Sequence, residues 1–312
     1  MLSINGAMAQ MPFINSYNKQ KDAEREARMN DILNSLLKEV FPESSYEIQA
    51  DFQKDGLTNA NYKVTVDHCE YIVRLARKNS YELGIDRQAE YTAMKAAADI
   101  GVGADIVYFS TETGNMITRY INGAKWEDKD TALPENLKRI ANVMKQIHQL
   151  PAIPFSFSPY KDIYDRIEFA HKNNLELPED IENLVFKMAS IQKERHKKLA
   201  TCLGLCHNDP FPNNFLDTAT LRLIDWEYSG MGDIFFDLAI ICMPYTKEQK
   251  EEFLILYFGE CDAEKLAGLE QMTYVVTLWN ALWAVLQRKL SNGDADYIGI
   301  ANYLFSVART MP

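Results

Sequence analysis

Leu205-Cys206-His207-Asn208-Asp209-Pro210-Phe211-Pro212-Asn213-Asn214-Phe215-Leu216, followed closely by Leu223-Ile224-Asp225-Trp226-Glu227-Tyr228, decides how this chain reads. The first segment has the form His-x-Asp-x-x-x-x-Asn. It lies between two short apolar runs, Leu203 to Cys206 and Leu221 to Ile224, that read as strands. A carboxylate and a carboxamide at this spacing suit phosphoryl transfer, which asks the protein for an aligned nucleophile and for cations on the phosphate oxygens. Asp209 can accept the proton of an incoming hydroxyl, and the Asn214 side-chain oxygen can turn to magnesium, a hard cation that prefers oxygen ligands. Asp225, delivered at the end of an apolar strand, is the natural second metal ligand. His207 reads as a brace of the loop, because a buried histidine usually serves hydrogen bonding.

The rest of the chain frames this segment. With 312 residues it exceeds the length at which one core stops growing, so two lobes sharing a cleft are expected. A content of 47% hydrophobic and 25% charged residues is that of an ordinary globular protein. The formal charge of -11 argues against nucleic acid as a partner and mildly favours a cationic small molecule. The five cysteines are scattered and form no four-ligand metal pattern, so they read as reduced thiols. No secretory leader and no run long enough to insert in a membrane is visible, and the chain reads as cytoplasmic.

Residues 1–45 read as an N-terminal extension with an amphipathic helix, carried by Ile32, Leu33, Leu36, Leu37 and Val40 and stopped at Phe41-Pro42. Residues 46–121 alternate short strands (Tyr46 to Ile48, Asn61 to Val66, Tyr71 to Leu75, Ile106 to Phe109, Met116 to Tyr120) with one helix, Ile85 to Ile100, closed by Gly101. Turns are expected at Asp55-Gly56, Asp67-His68 and Thr113-Gly114. Residues 122–312 are dominated by helical patterns, at Pro134 to Leu150, Ile163 to Asn173, Pro178 to Leu199 and much of Lys247 to Arg309. The hinge is expected between Ile117 and Lys125.

On these residues the chain resembles the choline/ethanolamine kinases and aminoglycoside phosphotransferases, over about Ile48 to Ala308, and is most similar to bacterial choline kinases. The resemblance implies an α+β, bilobal, protein-kinase-like fold with a small antiparallel-sheet front lobe and a larger helical rear lobe. It implies ATP and Mg2+ as cofactors. Gly56-Leu57-Thr58-Asn59-x-Asn61 resembles the nucleotide-binding loop, which sets Gly56, Thr58 and Asn59 at the nucleotide. Tyr71-Ile72-Val73-Arg74-Leu75 resembles the strand whose basic residue touches phosphates, and Arg87-Gln88-Ala89-Glu90 the helix with its carboxylate partner. Physically, Arg74 keeps its charge on burial and can fork onto two phosphate oxygens, and Glu90 can hold it in place. Asp237 matches a structural aspartate. The Asp-Phe-Gly and Ala-Pro-Glu signatures of protein kinases are absent.

The acceptor is read from the C-terminal helices. Two indoles, Trp279 and Trp283, stand four residues apart, a spacing usual for core packing. In choline kinases a Trp-x-x-Trp pair on the equivalent helix binds a trimethylammonium head by cation–π attraction, worth about 2 kcal/mol when desolvated. Trp283 matches the second of that pair, and Glu227, Tyr228 and Tyr297 match residues beside the acceptor. Two departures stand out. The first indole of the pair falls on Asn280, with Trp279 turned by about 100° on a helix. Where choline kinases carry a glutamate seven residues after the position of Asp237, this chain has Pro244, which leaves Glu227 as the counter-charge. Choline is the expected acceptor, bound with Asp209, Glu227, Tyr228, Trp283 and Tyr297. Ethanolamine, thiamine and aminoglycosides remain alternatives, as does a non-catalytic nucleotide-binding module, although Asp209, Asn214 and Asp225 are all present.

Overall fold

The computed structural model describes residues 28–49, 59–76, 82–291 and 295–312. Helix α1 covers 28–40. Strands β1 (Tyr46–Gln49), β2 (Asn59–Val66) and β3 (Cys69–Ala76) precede helix α2 (Arg87–Asp99), and β4 (Ile106–Phe109) and β5 (Met116–Arg119) follow it. The five strands form one antiparallel sheet in the order β1-β2-β3-β5-β4. Alternation along β3 sends Tyr71, Val73 and Leu75 to one face, where they pack with Val64, Val66 and Ile117 against Leu33, Leu36 and Leu37 of α1. Arg74 points to the opposite face, toward α2. The expected turn at Asp67-His68 is present, with both residues at positive φ, whereas the one at Asp55-Gly56 lies outside the described residues.

Helix α2 starts later than the apolar pattern suggested because the Asp86 carboxylate accepts the Gln88 and Ala89 N–H groups and so caps it. Its end is closed at Gly101, φ 74°. One face of α2, with Ala93, Met94 and Ala97, joins the large hydrophobic core of the rear lobe, as do Leu83 and Ile85 just before it. The two lobes therefore share packing through this helix.

The rear lobe comprises β6 (Ala124–Lys125), α3 (Asp128–Thr131), α4 (Pro134–His148), α5 (Pro159–Lys172), α6 (Ile181–His196) and α7 (Leu199–Cys202). It continues with β7 (Leu203–Cys206), β8 (Phe215–Asp217), β9 (Arg222–Leu223), β10 (Gly230–Asp233), α8 (Phe235–Cys242), α9 (Lys247–Phe258), α10 (Ala263–Leu290) and α11 (Tyr297–Thr310). Helix α10, 28 residues long and buried on most sides, is the spine on which α5, α8 and α11 pack. Three short strands were not expected from the sequence. β6 and β8 are too brief for a period to register, and Gly230-Met231-Gly232-Asp233 of β10 lacks the alternation of a half-buried strand. β10 pairs with β7, and β8 pairs with β6 and β9, so the segment from His207 to Asn214 is strung between two small antiparallel ladders.

Candidate active site

The segment from His207 to Asn214 is held from below by one carboxylate. Asp237, fully buried near the start of α8, accepts the His207 N–H at 2.8 Å and the Asn208 N–H at 2.6 Å. It also accepts a hydrogen bond from His148 Nε2 at 3.0 Å, and His148 Nδ1 accepts from the Tyr257 hydroxyl at 2.6 Å. His148, Cys206 and Asp237 lie close enough to hold a metal ion, but both histidine nitrogens and both carboxylate oxygens already have partners, so the cluster serves as a brace. Asn208 sits at φ 64° and donates its amide to the Tyr228 carbonyl at 2.9 Å, which ties the loop to the segment that follows β9 and carries Asp225.

His207 reinforces that tie. Its Nδ1 accepts the Asp209 N–H at 3.2 Å, which leaves Nε2 protonated and donating to the Ile224 carbonyl at 3.0 Å. Burial lowers its pKa to about 4, so the ring is neutral across the physiological range. Trp226 packs on it at 4.6 Å between centroids.

The loop and the strand end bring three carboxylates and one carboxamide together. Asn214 donates its amide to the Asp209 carbonyl at 2.8 Å and to Asp209 Oδ2 at 3.0 Å. With its nitrogen spent there, the Asn214 oxygen is the end left to a ligand. Asp225 takes the left-handed conformation, φ 68°, rare for a residue with a side chain and typical of strained functional positions. Burial and the charges of Asp225 and Glu227 raise the pKa of Asp209 well above the ordinary carboxylate value. Burial and then Glu227 push Asp225 up to about 7, with Arg74 pulling the other way. Such mutual repulsion in a set of hard oxygen donors calls for a cation, and the donor types fit Mg2+.

The front lobe contributes a charged pair. Arg74 Nη1 and Glu90 Oε1 are 2.5 Å apart, both buried, and Arg74 also donates to the Gly114 carbonyl through Nη2 at 2.9 Å. Burial works against both charges, but each partner outweighs it, so Arg74 stands above and Glu90 below its ordinary pKa. Arg74 feels Asp225 and Glu227 as well, which puts the pair at the mouth of the carboxylate cluster. Asn59 is buried and donates to Glu227 Oε2 at 3.0 Å. Gly56 and Thr58, the other two nucleotide-loop candidates, lie outside the described residues.

On the acceptor side, Trp283 is half-buried and meets Tyr297 edge-on at 6.0 Å between centroids. The Tyr297 hydroxyl bonds Ser291. The Tyr228 phenol is raised above its ordinary pKa, first by burial and then by Glu227, with Asp209 adding to it. Trp279 has a different surrounding. It is 2% exposed, its ring lies under the Arg166 guanidinium at 3.7 Å, and its Nε1 donates to Asp162. Pro244 lines an apolar recess of about 290 Å³ with Phe211, Ile240, Ile241 and Met243.

Reading the sequence picked out the loop, Arg74 and Glu90 but gave no weight to Arg87, whose Nη1 is 2.6 Å from Glu90 Oε2 and 3.5 Å from Glu227 Oε2. Its only signal was a place three residues before Glu90 on the same helix face. Lys125 was also passed over. Lys125 is exposed on β6, yet partial desolvation by its surroundings depresses its pKa and Asp225 opposes the shift, so it lies within electrostatic reach of the same cluster.

A kinase-like pair of lobes around clustered magnesium-type donors defines a phosphoryl-transfer enzyme. The phosphotransferase enzyme family matches residues 52–270. The LicA homologue of Mycoplasma capricolum is 26% identical over 227 residues, spanning 72% of this chain and 86% of that protein. A choline/ethanolamine kinase family protein of Mesorhizobium loti superposes with a TM-score of 0.71 at 26% identity, covering 91% of this chain and 94% of the other. The choline kinase LicA of Streptococcus pneumoniae gives a TM-score of 0.73 at 23% identity, covering 91% and 99%. The chain belongs to the phosphotransferase enzyme family and, within it, to the choline/ethanolamine kinases, enzymes that phosphorylate an alcohol at the expense of ATP. Among the described residues no helix is long and apolar enough to cross a membrane.

Proposed function

We propose that this enzyme phosphorylates the hydroxyl of choline, using ATP and Mg2+, with Asp209 as the base and Asn214 and Asp225 as the residues that hold the metal. One observation carries the acceptor reading. The half-buried Trp283 and the buried Tyr297 form an aromatic corner, and Tyr228 joins that side of the cleft while feeling the charges of both Glu227 and Asp209. Aromatic faces backed by carboxylates favour a compact cation. Such a cation would bring its hydroxyl toward the base.

Asp209 has a carboxylate oxygen fixed by Asn214, and burial with the neighbouring carboxylates raises its pKa well above the ordinary value, which suits proton acceptance from an alcohol. Arg74, held by Glu90, supplies a permanent charge to the phosphates, and Asn59, which donates to Glu227, is a further nucleotide-binding residue. When bound, magnesium would neutralise charge on the phosphate oxygens. The polypeptide itself aligns the hydroxyl and excludes water. We read the enzyme as cytoplasmic.

Ethanolamine is the second reading. The face of Trp279 is taken by Arg166, and Pro244 holds the sequence position at which choline kinases carry a glutamate, so the corner has fewer walls than a full aromatic box. A coupled ATP assay across choline, ethanolamine and thiamine decides between them. Preference for choline by tenfold or more in kcat/KM is expected, and phosphorylation of none of the three would overturn the amino-alcohol assignment.

A further inference from the structure

A line of alternating charges crosses from one lobe to the other through the middle of the site. Arg74 Nη1 meets Glu90 Oε1 at 2.5 Å, Glu90 Oε2 meets Arg87 Nη1 at 2.6 Å, and the same Nη1 lies 3.5 Å from Glu227 Oε2. Asn59 of β2 donates to that same Glu227 oxygen. The first three charges belong to the front lobe. Glu227 belongs to the rear one, two residues beyond Asp225. None of the five side chains is more than 8% exposed.

Buried ion pairs of this kind add little net stability, because desolvation offsets most of the attraction. They do fix relative position, since each charge has few places where it is satisfied. The surroundings are shaped to the bridge. A Cβ on Gly114, φ 76°, would stand 2.5 Å from Arg87 Nε, and the Gly114 carbonyl accepts Arg74, so the β4–β5 turn is fitted around both arginines.

We propose that Arg87 is a positioning residue for phosphoryl transfer. By bridging Glu90 and Glu227 it sets the separation of the lobes, so that Arg74 on the front lobe and Asp225 on the rear one engage the same nucleotide. Glu227 in this arrangement acts as the rear anchor of the bridge and adds to the field around the acceptor only through its charge. The inference rests on Arg74 and Asp225 facing nucleotide and metal, and it is independent of which alcohol is phosphorylated.

The test is a double-mutant cycle on Arg87→Met and Glu227→Gln, read first as ADP affinity by titration calorimetry with magnesium present, then as kcat and KM. Each single variant is expected to weaken ADP binding about fivefold and lower kcat tenfold or more; Arg87→Met should leave the acceptor KM within threefold of wild type, whereas Glu227→Gln, which also removes the counter-charge of the acceptor, should raise it. The double variant is expected to be no worse than the poorer single one, because both remove one bridge. Arg87→Lys, which returns a cation between the two carboxylates, should recover part of kcat. If Arg87→Met does not fold, Glu227→Gln alone carries the same expectation for ADP affinity and kcat, as it keeps the Asn59 contact. Unchanged ADP affinity and kcat in the single variants, losses that multiply in the double, or a loss confined to the acceptor KM would each overturn the proposal. A wild type that binds ADP but phosphorylates no amino alcohol would contradict the acceptor assignment instead, and the ADP cycle would still decide this one.

Discussion

The Arg166 guanidinium lies 3.7 Å above the ring of Trp279 and donates to the Trp279 carbonyl at 2.8 Å, so a cation of the protein itself occupies the face of that indole. Tyr228, Phe236 and Phe157 close the other approaches. Trp279 and Trp283 are therefore expected to separate cleanly on mutation. Trp279→Ala removes a core residue and should destabilise the protein by about 3–5 kcal/mol, with the acceptor KM little changed in whatever fraction folds. Trp283→Ala should leave the melting temperature within a few degrees and raise the choline KM tenfold or more, in keeping with a desolvated cation–π contact of about 2 kcal/mol. Thermal denaturation beside steady-state kinetics checks both.

Asp237 should behave as the keystone of the loop from His207 to Asn214. It accepts two consecutive backbone N–H groups and the His148 ring. Asp237→Ala leaves those donors buried without an acceptor, and a loss of about 3 kcal/mol or more is expected in urea denaturation. Asp237→Asn keeps the shape but not the charge and should cost less stability. It should still lower kcat, because an amide cannot accept all three donors as well.

Gly114 is expected to tolerate no side chain. Its φ of 76° and the approach of Arg87 to within 2.5 Å of a Cβ combine conformational strain with a clash. Gly114→Ala should destabilise the protein by about 1–3 kcal/mol and raise the KM for ATP, since the same turn holds Arg74. A stability and an ATP KM equal to wild type would show that the turn relaxes without cost.

His207 gives stability a pH dependence of known sign. Its pKa is 6.5 as a free side chain and about 4 when buried here, so the unfolded chain binds the proton more tightly. Stability contributed by the neutral ring is present above pH 6.5 and is lost as pH falls toward 4, by an amount of the order of 3 kcal/mol. Asp209 and Asp225, whose pKa values are raised, act in the opposite sense, so the comparison must be with His207→Gln. The gap in unfolding free energy between wild type and that variant should narrow as pH falls from 7 to 4, which denaturant titrations at several pH values would reveal.

Much of this was legible in the sequence because the chemistry is local in the chain. The His-x-Asp-x-x-x-x-Asn segment and the strand ending at Asp225 announce themselves by spacing, and the alternation of Tyr71, Val73 and Leu75 marks Arg74 as facing away from the hydrophobic side of its sheet. The remainder depends on contacts distant along the chain. Nothing near Trp279 reveals that Arg166, more than a hundred residues earlier, covers its face, or that Glu227 reaches across to Arg87 and Asn59. The helix boundary at Arg87 turned on a cap at Asp86, a local signal outweighed by the apolar pattern that begins at Ile85.

The most direct measurement is the turnover of Asp209→Asn with ATP, magnesium and choline, taken beside its affinity for ADP. The asparagine retains the shape of Asp209 and an oxygen for the Asn214 amide but cannot take a proton from the acceptor. Phosphocholine formation is expected to fall by a hundredfold or more, the usual contribution of a general base, with ADP affinity within a few-fold of wild type. Turnover close to that of the wild type would contradict the assignment of Asp209 as the base and, with it, the mechanism built on this loop.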